Sequence, residues 1–244
     1  MNAGTNGLVV INNFGGTLGV RSDVANTTYN VGMVIGEGNP YAILNNDRAA
    51  GTTSVLSILT GGIRFGGSPG EQGQTLFVQN AANNVAIQVN GPLALSAATM
   101  EGAYNFIRTD PNLTVNGVVT GGAALIHTGG GTLELGNGNT GFANGINTFS
   151  GGLQNIQGTV NVRGTTTGAV SAFPAVNNLI NNGGIGSGDV TMYSGTLNLL
   201  IDGANTTTRE KYWVGNNATG NNLIINGSST VTVNRNVAGT AANK

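Results

Sequence analysis

Cysteine is absent from the 244 residues, which excludes disulfides and thiolate metal sites. Charge is scarce too: Asp, Glu, Lys and Arg make up 8% of the chain, against roughly 25% in ordinary globular domains. Ten acids and nine Lys or Arg leave a net charge of −1, and Arg21, Arg48, Arg64, Arg108 and Arg163 stand singly. Nucleic acid and anionic membranes need clustered cations, so no nucleic-acid partner is expected. No apolar run approaches the ~18 residues of a membrane-crossing helix, so no transmembrane segment is expected. Met1-Asn2-Ala3-Gly4 lacks the basic and apolar regions of a secretory signal. With His127 as the only histidine, a histidine metal cluster is excluded as well.

What the chain has in plenty is glycine, 42 residues, and Asn with Thr. A five-residue phrase recurs, glycine, threonine, aliphatic, any residue, aliphatic. It stands at Gly16-Thr17-Leu18-Gly19-Val20, Gly131-Thr132-Leu133-Glu134-Leu135, Gly158-Thr159-Val160-Asn161-Val162 and Gly195-Thr196-Leu197-Asn198-Leu199, with Ser229-Thr230-Val231-Thr232-Val233 as a variant. Successive strand side chains point to opposite faces, so Leu133, Leu135, Val160, Val162, Leu197 and Leu199 are expected inside, with Thr132 and Glu134 outside. Similar bursts at Leu8-Val9-Val10-Ile11, Thr75-Leu76-Phe77-Val78, Leu113-Thr114-Val115 and Leu223-Ile224-Ile225 have strand length and are mostly bounded by Gly or Asn.

Pairs such as Asn12-Asn13, Asn45-Asn46, Asn177-Asn178 and Asn221-Asn222 suit tight bends, because Asn tolerates the left-handed conformation and can bond to Asn in a stacked ladder. The pattern predicts an all-β chain, a parallel β-helix, with an antiparallel β-sandwich as the alternative that Asn90-Gly91 and Asn116-Gly117 would serve as hairpin turns. At about 20 residues per coil and ~4.8 Å between coils, the chain would make about a dozen coils. Residues 1–244 read as one domain, with an irregular insertion or short helix near 93–110, where Leu93 to Tyr104 is rich in Ala.

The run Thr128-Gly129-Gly130-Gly131-Thr132-Leu133-Glu134-Leu135, then Asn147-Thr148-Phe149-Ser150-Gly151-Gly152, then Gly158-Thr159-Val160-Asn161-Val162 resembles the passenger-associated repeat of bacterial autotransporters. Gly186-Ser187-Gly188-Asp189-Val190-Thr191 and Ser194 to Leu199 look like its continuation, so the resemblance is clearest over about residues 124–200. It implies a right-handed parallel β-helix outside a bacterial cell, in which the repeats are scaffold and carry no catalytic residues. These 244 residues show no membrane-embedded barrel after the repeats, a departure from that family's pattern, so anchoring by that route is not expected.

Several motifs match sites of known chemistry by letter. Gly66-Gly67-Ser68-Pro69-Gly70 has the form of a nucleophile elbow, but the N–H needed after the serine is missing at Pro69. Gly136-Asn137-Gly138-Asn139-Thr140-Gly141 has dinucleotide-binding spacing without the helix that must follow. Gly183 to Asp189 nearly reproduces a calcium-binding nonapeptide, with its aspartate one place late and only one copy present. His127 reads as an outward or ladder residue of a strand. Acids are dispersed, and only cross-coil pairs such as Asp189 with Asp202 could make a polysaccharide hydrolase or lyase.

The expectation is therefore an extracellular structural or adhesive scaffold at the bacterial surface, joined head-to-tail into filaments, and not an enzyme. It has no catalytic, cofactor-binding or metal-binding residues. The alternative is a carbohydrate-binding or polysaccharide-degrading β-helix protein, with glycans or a cell surface as partners. The candidate interaction surface comprises Tyr212 and Trp213, an aromatic pair beside Lys211, and the apolar N-terminal burst Leu8, Val9, Val10 and Ile11.

Overall fold

The computed structural model describes residues 8–12, 17–20, 28–29, 31–35, 41–46, 57–59, 61–66, 74–79, 87–97, 104–135, 147–163, 185–200 and 222–234. These form strands and their connections, with no helix among the described residues. The strands, numbered in chain order, lie in three sheets.

The first sheet holds β1 (Leu8–Asn12), β4 (Val31–Ile35), β7 (Ile63–Phe65), β10 (Leu93–Ala94) and β13 (Val119–Thr120). The second holds β2 (Thr17–Val20), β5 (Tyr41–Asn46), β8 (Gln74–Gln79), β11 (Tyr104–Thr109), β14 (Ala124–Thr128), β16 (Leu153–Asn155), β18 (Val190–Met192) and β20 (Leu223–Ile225). The third holds β3 (Thr28–Tyr29), β6 (Ser57–Leu59), β9 (Ile87–Val89), β12 (Leu113–Val115), β15 (Thr132–Leu135), β17 (Thr159–Arg163), β19 (Gly195–Leu200) and β21 (Ser229–Asn234).

Up to β15, consecutive strands visit the three sheets in turn, and each strand up to β12 pairs with the one three places on in the chain. Every pairing among the described residues is parallel, so they do not form the antiparallel sandwich. Among the described residues the second and third sheets each hold eight strands, against an expected dozen coils. The reason is variable spacing: Leu113 pairs with Leu133 twenty positions on, whereas Val160 pairs with Leu197 thirty-seven on. A strand pattern does not constrain that spacing.

Beyond β13 the first side continues as hydrogen-bonded chain without regular strands. Thr148 N–H donates to the Val119 carbonyl at 2.8 Å, and Ser187 N–H to the Phe149 carbonyl at 2.9 Å. Leu93–Ala94 and Tyr104–Thr109, inside the segment expected to be irregular, are strands paired on both sides, while 98–103 lie outside the described residues. Asn45-Asn46 belongs to β5 and is not a bend. Amide ladders do form elsewhere: Asn116 Nδ2 donates to Asn90 Oδ1 at 2.7 Å, and Asn198 Nδ2 to Asn161 Oδ1 at 2.8 Å.

Alternation drives the packing. In β15 and β17 the residues of the repeated phrase alternate half-buried and buried, and Leu133, Leu135, Val160, Val162, Leu197 and Leu199 all join one core shared by the three sheets. Because the pairing is in register, like stacks on like: Leu113, Leu133, Val160 and Leu197 make one aliphatic column. Each fully buried side chain of this size contributes about 1.5–3 kcal/mol relative to exposure. Gly158 and Gly195, which open β17 and β19, hold φ of 81° and 80°, where a side chain is strained.

Candidate functional surfaces

Three features rise above this framework: a buried polar chain, two patterned outer faces, and an apolar sheet edge. The buried chain centres on His127, which is fully buried on the same face of β14 as Leu125 and not outward as one expectation has it. It does occupy a ladder. Thr109 Oγ1 lies 2.8 Å from His127 Nε2, His127 Nδ1 lies 2.9 Å from Asn155 Oδ1, and Asn155 Nδ2 donates to the carbonyls of Gly158, Ser194 and Thr196.

These bonds assign the tautomer. The Asn155 amide nitrogen is committed to carbonyls, so its oxygen must accept from Nδ1–H, which leaves Nε2 to accept from the Thr109 hydroxyl. Burial lowers the imidazole pKa from 6.5 to about 4, and the bond to Asn155 offsets part of that. The neutral ring has every polar atom satisfied, so it fits the site without cost from an unmade bond.

On the outer face of the second sheet, Tyr104, Phe106 and Arg108 alternate along β11, and the register sets Phe77 of β8 beside Arg108. The Arg108 guanidinium lies 4.9 Å from the Phe77 ring centre while its Nε contacts Asp110 Oδ1 at 3.1 Å. Tyr104, 39% exposed, meets Phe106 with ring centres 6.4 Å apart and planes tilted by 54°. The alternation of Tyr104, Phe106 and Arg108 can be read from sequence. Phe77 cannot, because its place depends on a register that only the fold supplies.

The outer face of the third sheet is polar instead. Arg163 Nε lies 2.6 Å from Glu134 Oε1 and its Nη2 3.2 Å from Oε2, next to the Asn161 and Asn198 amide pair. Thr132, Thr159, Thr196 and Thr230 form a column across four strands.

The third feature is the edge made by β20 and β21. Register places Leu223 and Ile225 over the buried Val190 and Met192, and Val231 and Val233 over the buried Leu197 and Leu199. Yet all four are exposed, Ile225 and Val233 by 50% each.

Of the residues expected to make an interaction surface, Leu8, Val9, Val10 and Ile11 belong to β1, which among the described residues is the edge strand of the first sheet and pairs with β4 alone. Tyr212 and Trp213 lie outside the described residues, as do Asp202, the Gly136 to Gly141 motif and Gly67 to Gly70. Asp189 Oδ1 accepts from the backbone and side-chain nitrogens of Asn222 at 2.8 and 3.2 Å, which ties it to the neighbouring strand connection. No group of three or more metal-ligating side chains occurs among the described residues, and no helix there is long and apolar enough to cross a membrane. Comparison with family models, with characterised proteins and with solved structures finds no match to this chain.

Proposed function

We propose that the chain is a closed, right-handed parallel β-helix that serves as an extracellular structural or adhesive scaffold on the bacterial surface, with copies associating end to end. The resemblance of residues 124–200 to autotransporter passenger repeats supports the location. Parallel strands joined by crossovers in one sheet are right-handed in about 98% of cases, which supports the hand.

The observation that carries the self-association reading is the apolar edge at β20 and β21. Its inward side chains continue buried columns but remain exposed, and among the described residues no further strand pairs with it. A head-to-tail contact between unlike ends gives a ring where its rotation closes and a filament where it does not, and stacking end on end along the sheets is the open case. Size-exclusion chromatography with negative-stain microscopy over a concentration series tests it. Rods lengthening with concentration are expected, and a monomer at the highest concentration removes the reading.

Carbohydrate binding is a second reading, favoured by the cluster of Phe77, Tyr104, Phe106 and Arg108 on the outer face of the second sheet. Aromatic faces stack on the apolar faces of sugar rings, and the remaining Arg108 N–H groups could donate to hydroxyls. Retardation in polysaccharide-containing native gels, reduced by Tyr104→Ala, is the expected result. Equal mobility of parent and variant in every gel removes it.

A further inference from the structure

We propose that the buried Thr109–His127–Asn155 chain is an acid-operated latch: a proton taken up from solvent at His127 Nε2 breaks the bond from Thr109 and loosens the corner that joins β14, β16 and β19. The geometry makes the neutral ring the only well-accommodated form. The three side chains come from three adjacent strands of the second sheet, β11, β14 and β16, and Asn155 extends the chain into the corner ahead of β19. One imidazole thus stands in the middle of a single directional run of hydrogen bonds, from the Thr109 hydroxyl to the carbonyls of Gly158, Ser194 and Thr196.

Protonation conflicts with that run at one atom. Nε2 changes from acceptor to donor, so the Thr109 hydroxyl must turn round and find another acceptor inside the protein. Among the described residues the new charge also finds no counter-ion. From β11 the nearest titratable groups are Arg108 and Asp110, which flank Thr109 at the surface and pair with each other. β16 brings only the neutral Asn155, and the corner before β19 brings Tyr193, which is exposed. Glu134 and Arg163, on β15 and β17, pair with each other on the outer face of the third sheet.

A buried charge without a partner drives its group towards water. The ring has little room to move otherwise, since a β-carbon built on Gly158 would lie only 3.1 Å from His127 Cε1. Its outward movement would strip the corner of the bonds that span it: Ile156 N–H to the His127 carbonyl, Tyr193 N–H to the Asn155 carbonyl and Thr196 N–H to the Gly158 carbonyl. The first sheet, held by bonds such as Ile63 N–H to the Pro92 carbonyl, supplies none of the hydrogen bonds in the ring's chain and should stay closed.

Because His127 is the only histidine, its imidazole Cε1–H resonance reports the site without ambiguity as to residue. The test follows that resonance and amide hydrogen exchange in the full chain between pH 7 and pH 3.5, with exchange corrected for its intrinsic pH dependence. The latch requires the imidazole to titrate at least tenfold more acidic than free histidine. The amides of Ile156, Tyr193 and Thr196 should then exchange at least tenfold faster below that point, while those of Met33, Ile63 and Leu93 hold steady. His127→Gln, which keeps a neutral polar side chain, should show no such step. Titration near 6.5, or an equal acceleration in both amide groups, overturns the proposal in the native chain whether or not the variant folds. A step that persists in a folded His127→Gln overturns it too.

Discussion

Arg163 reaches from β17 to Glu134 on the neighbouring strand β15 and meets both carboxylate oxygens, at 2.6 and 3.2 Å. The two side chains are about one-fifth exposed, so the pair is neither fully screened nor fully desolvated. A two-point, partly buried ion pair is stronger than an ordinary surface pair, and Arg163→Ala or Glu134→Gln should each cost about 1 kcal/mol. A double-mutant cycle in urea measures it. The coupling should shrink in high salt, and additive single effects would show that the contact contributes nothing of its own.

Core position should matter more than core identity. Leu133 is fully buried in the middle of an aliphatic column, whereas Ile225 occupies a corresponding inward position but is half exposed at the sheet edge. Leu133→Ala removes both transfer energy and packing and should cost about 2–5 kcal/mol. Ile225→Ala leaves no closed cavity and should cost about 1 kcal/mol or less, within the range of surface substitutions. Chemical denaturation of the two variants separates them, and equal losses would mean that the edge is covered in solution.

The repeated phrase makes much of this core legible in the amino-acid sequence. Its alternation identifies the buried members of β15, β17 and β19, because period two is a local property that survives whatever the chain does between strands. The number of passes is not legible, since register partners stand from 20 to 37 positions apart without any change in the strand pattern. The inward place of His127 is hidden for a related reason. Leu125 and His127 share one face of β14, but a polar residue on the inner face becomes reasonable only when Thr109 and Asn155, far away in sequence, are known to flank it. The outer cluster of Phe77 with Arg108 likewise exists only through register.

Two glycines of the same region should respond oppositely to a methyl group. At Gly195 φ is 80° and an added β-carbon would lie 2.2 Å from the Gly158 carbonyl oxygen, so backbone strain and a clash with rigid backbone combine. The left-handed conformation alone costs a non-glycine residue about 1–2 kcal/mol, so Gly195→Ala should lose about 2 kcal/mol or more. Gly130 has nothing within 4 Å of the same position, and Gly130→Ala should change stability by about 0.5 kcal/mol or less. Thermal unfolding of the pair is sufficient, and a tolerated Gly195→Ala would show that the corner is free to rearrange.

Acid sensitivity follows from the lowered pKa of His127. Its folded value of about 4 lies below the unfolded 6.5, so the folded chain favours the neutral ring. The stabilisation is complete above pH 6.5 and is lost as the pH falls from there towards 4. The loss amounts to about 3 kcal/mol, since each tenfold change in proton affinity is worth about 1.4 kcal/mol. Asn155→Asp should reverse this. A carboxylate in place of the Asn155 amide oxygen, 2.9 Å from Nδ1, would hold the imidazolium and raise the folded pKa above the unfolded value. The His127 contribution would then be present below pH 6.5 and lost as the pH rises through the raised value. The variant also forfeits the bonds from Asn155 Nδ2 to three carbonyls, so its stability at pH 7 should fall below that of the parent. Denaturation midpoints from pH 7.5 to 5, where most other carboxylates stay ionised, read the slope directly. Parallel profiles for parent and variant would mean that His127 does not set the acid response.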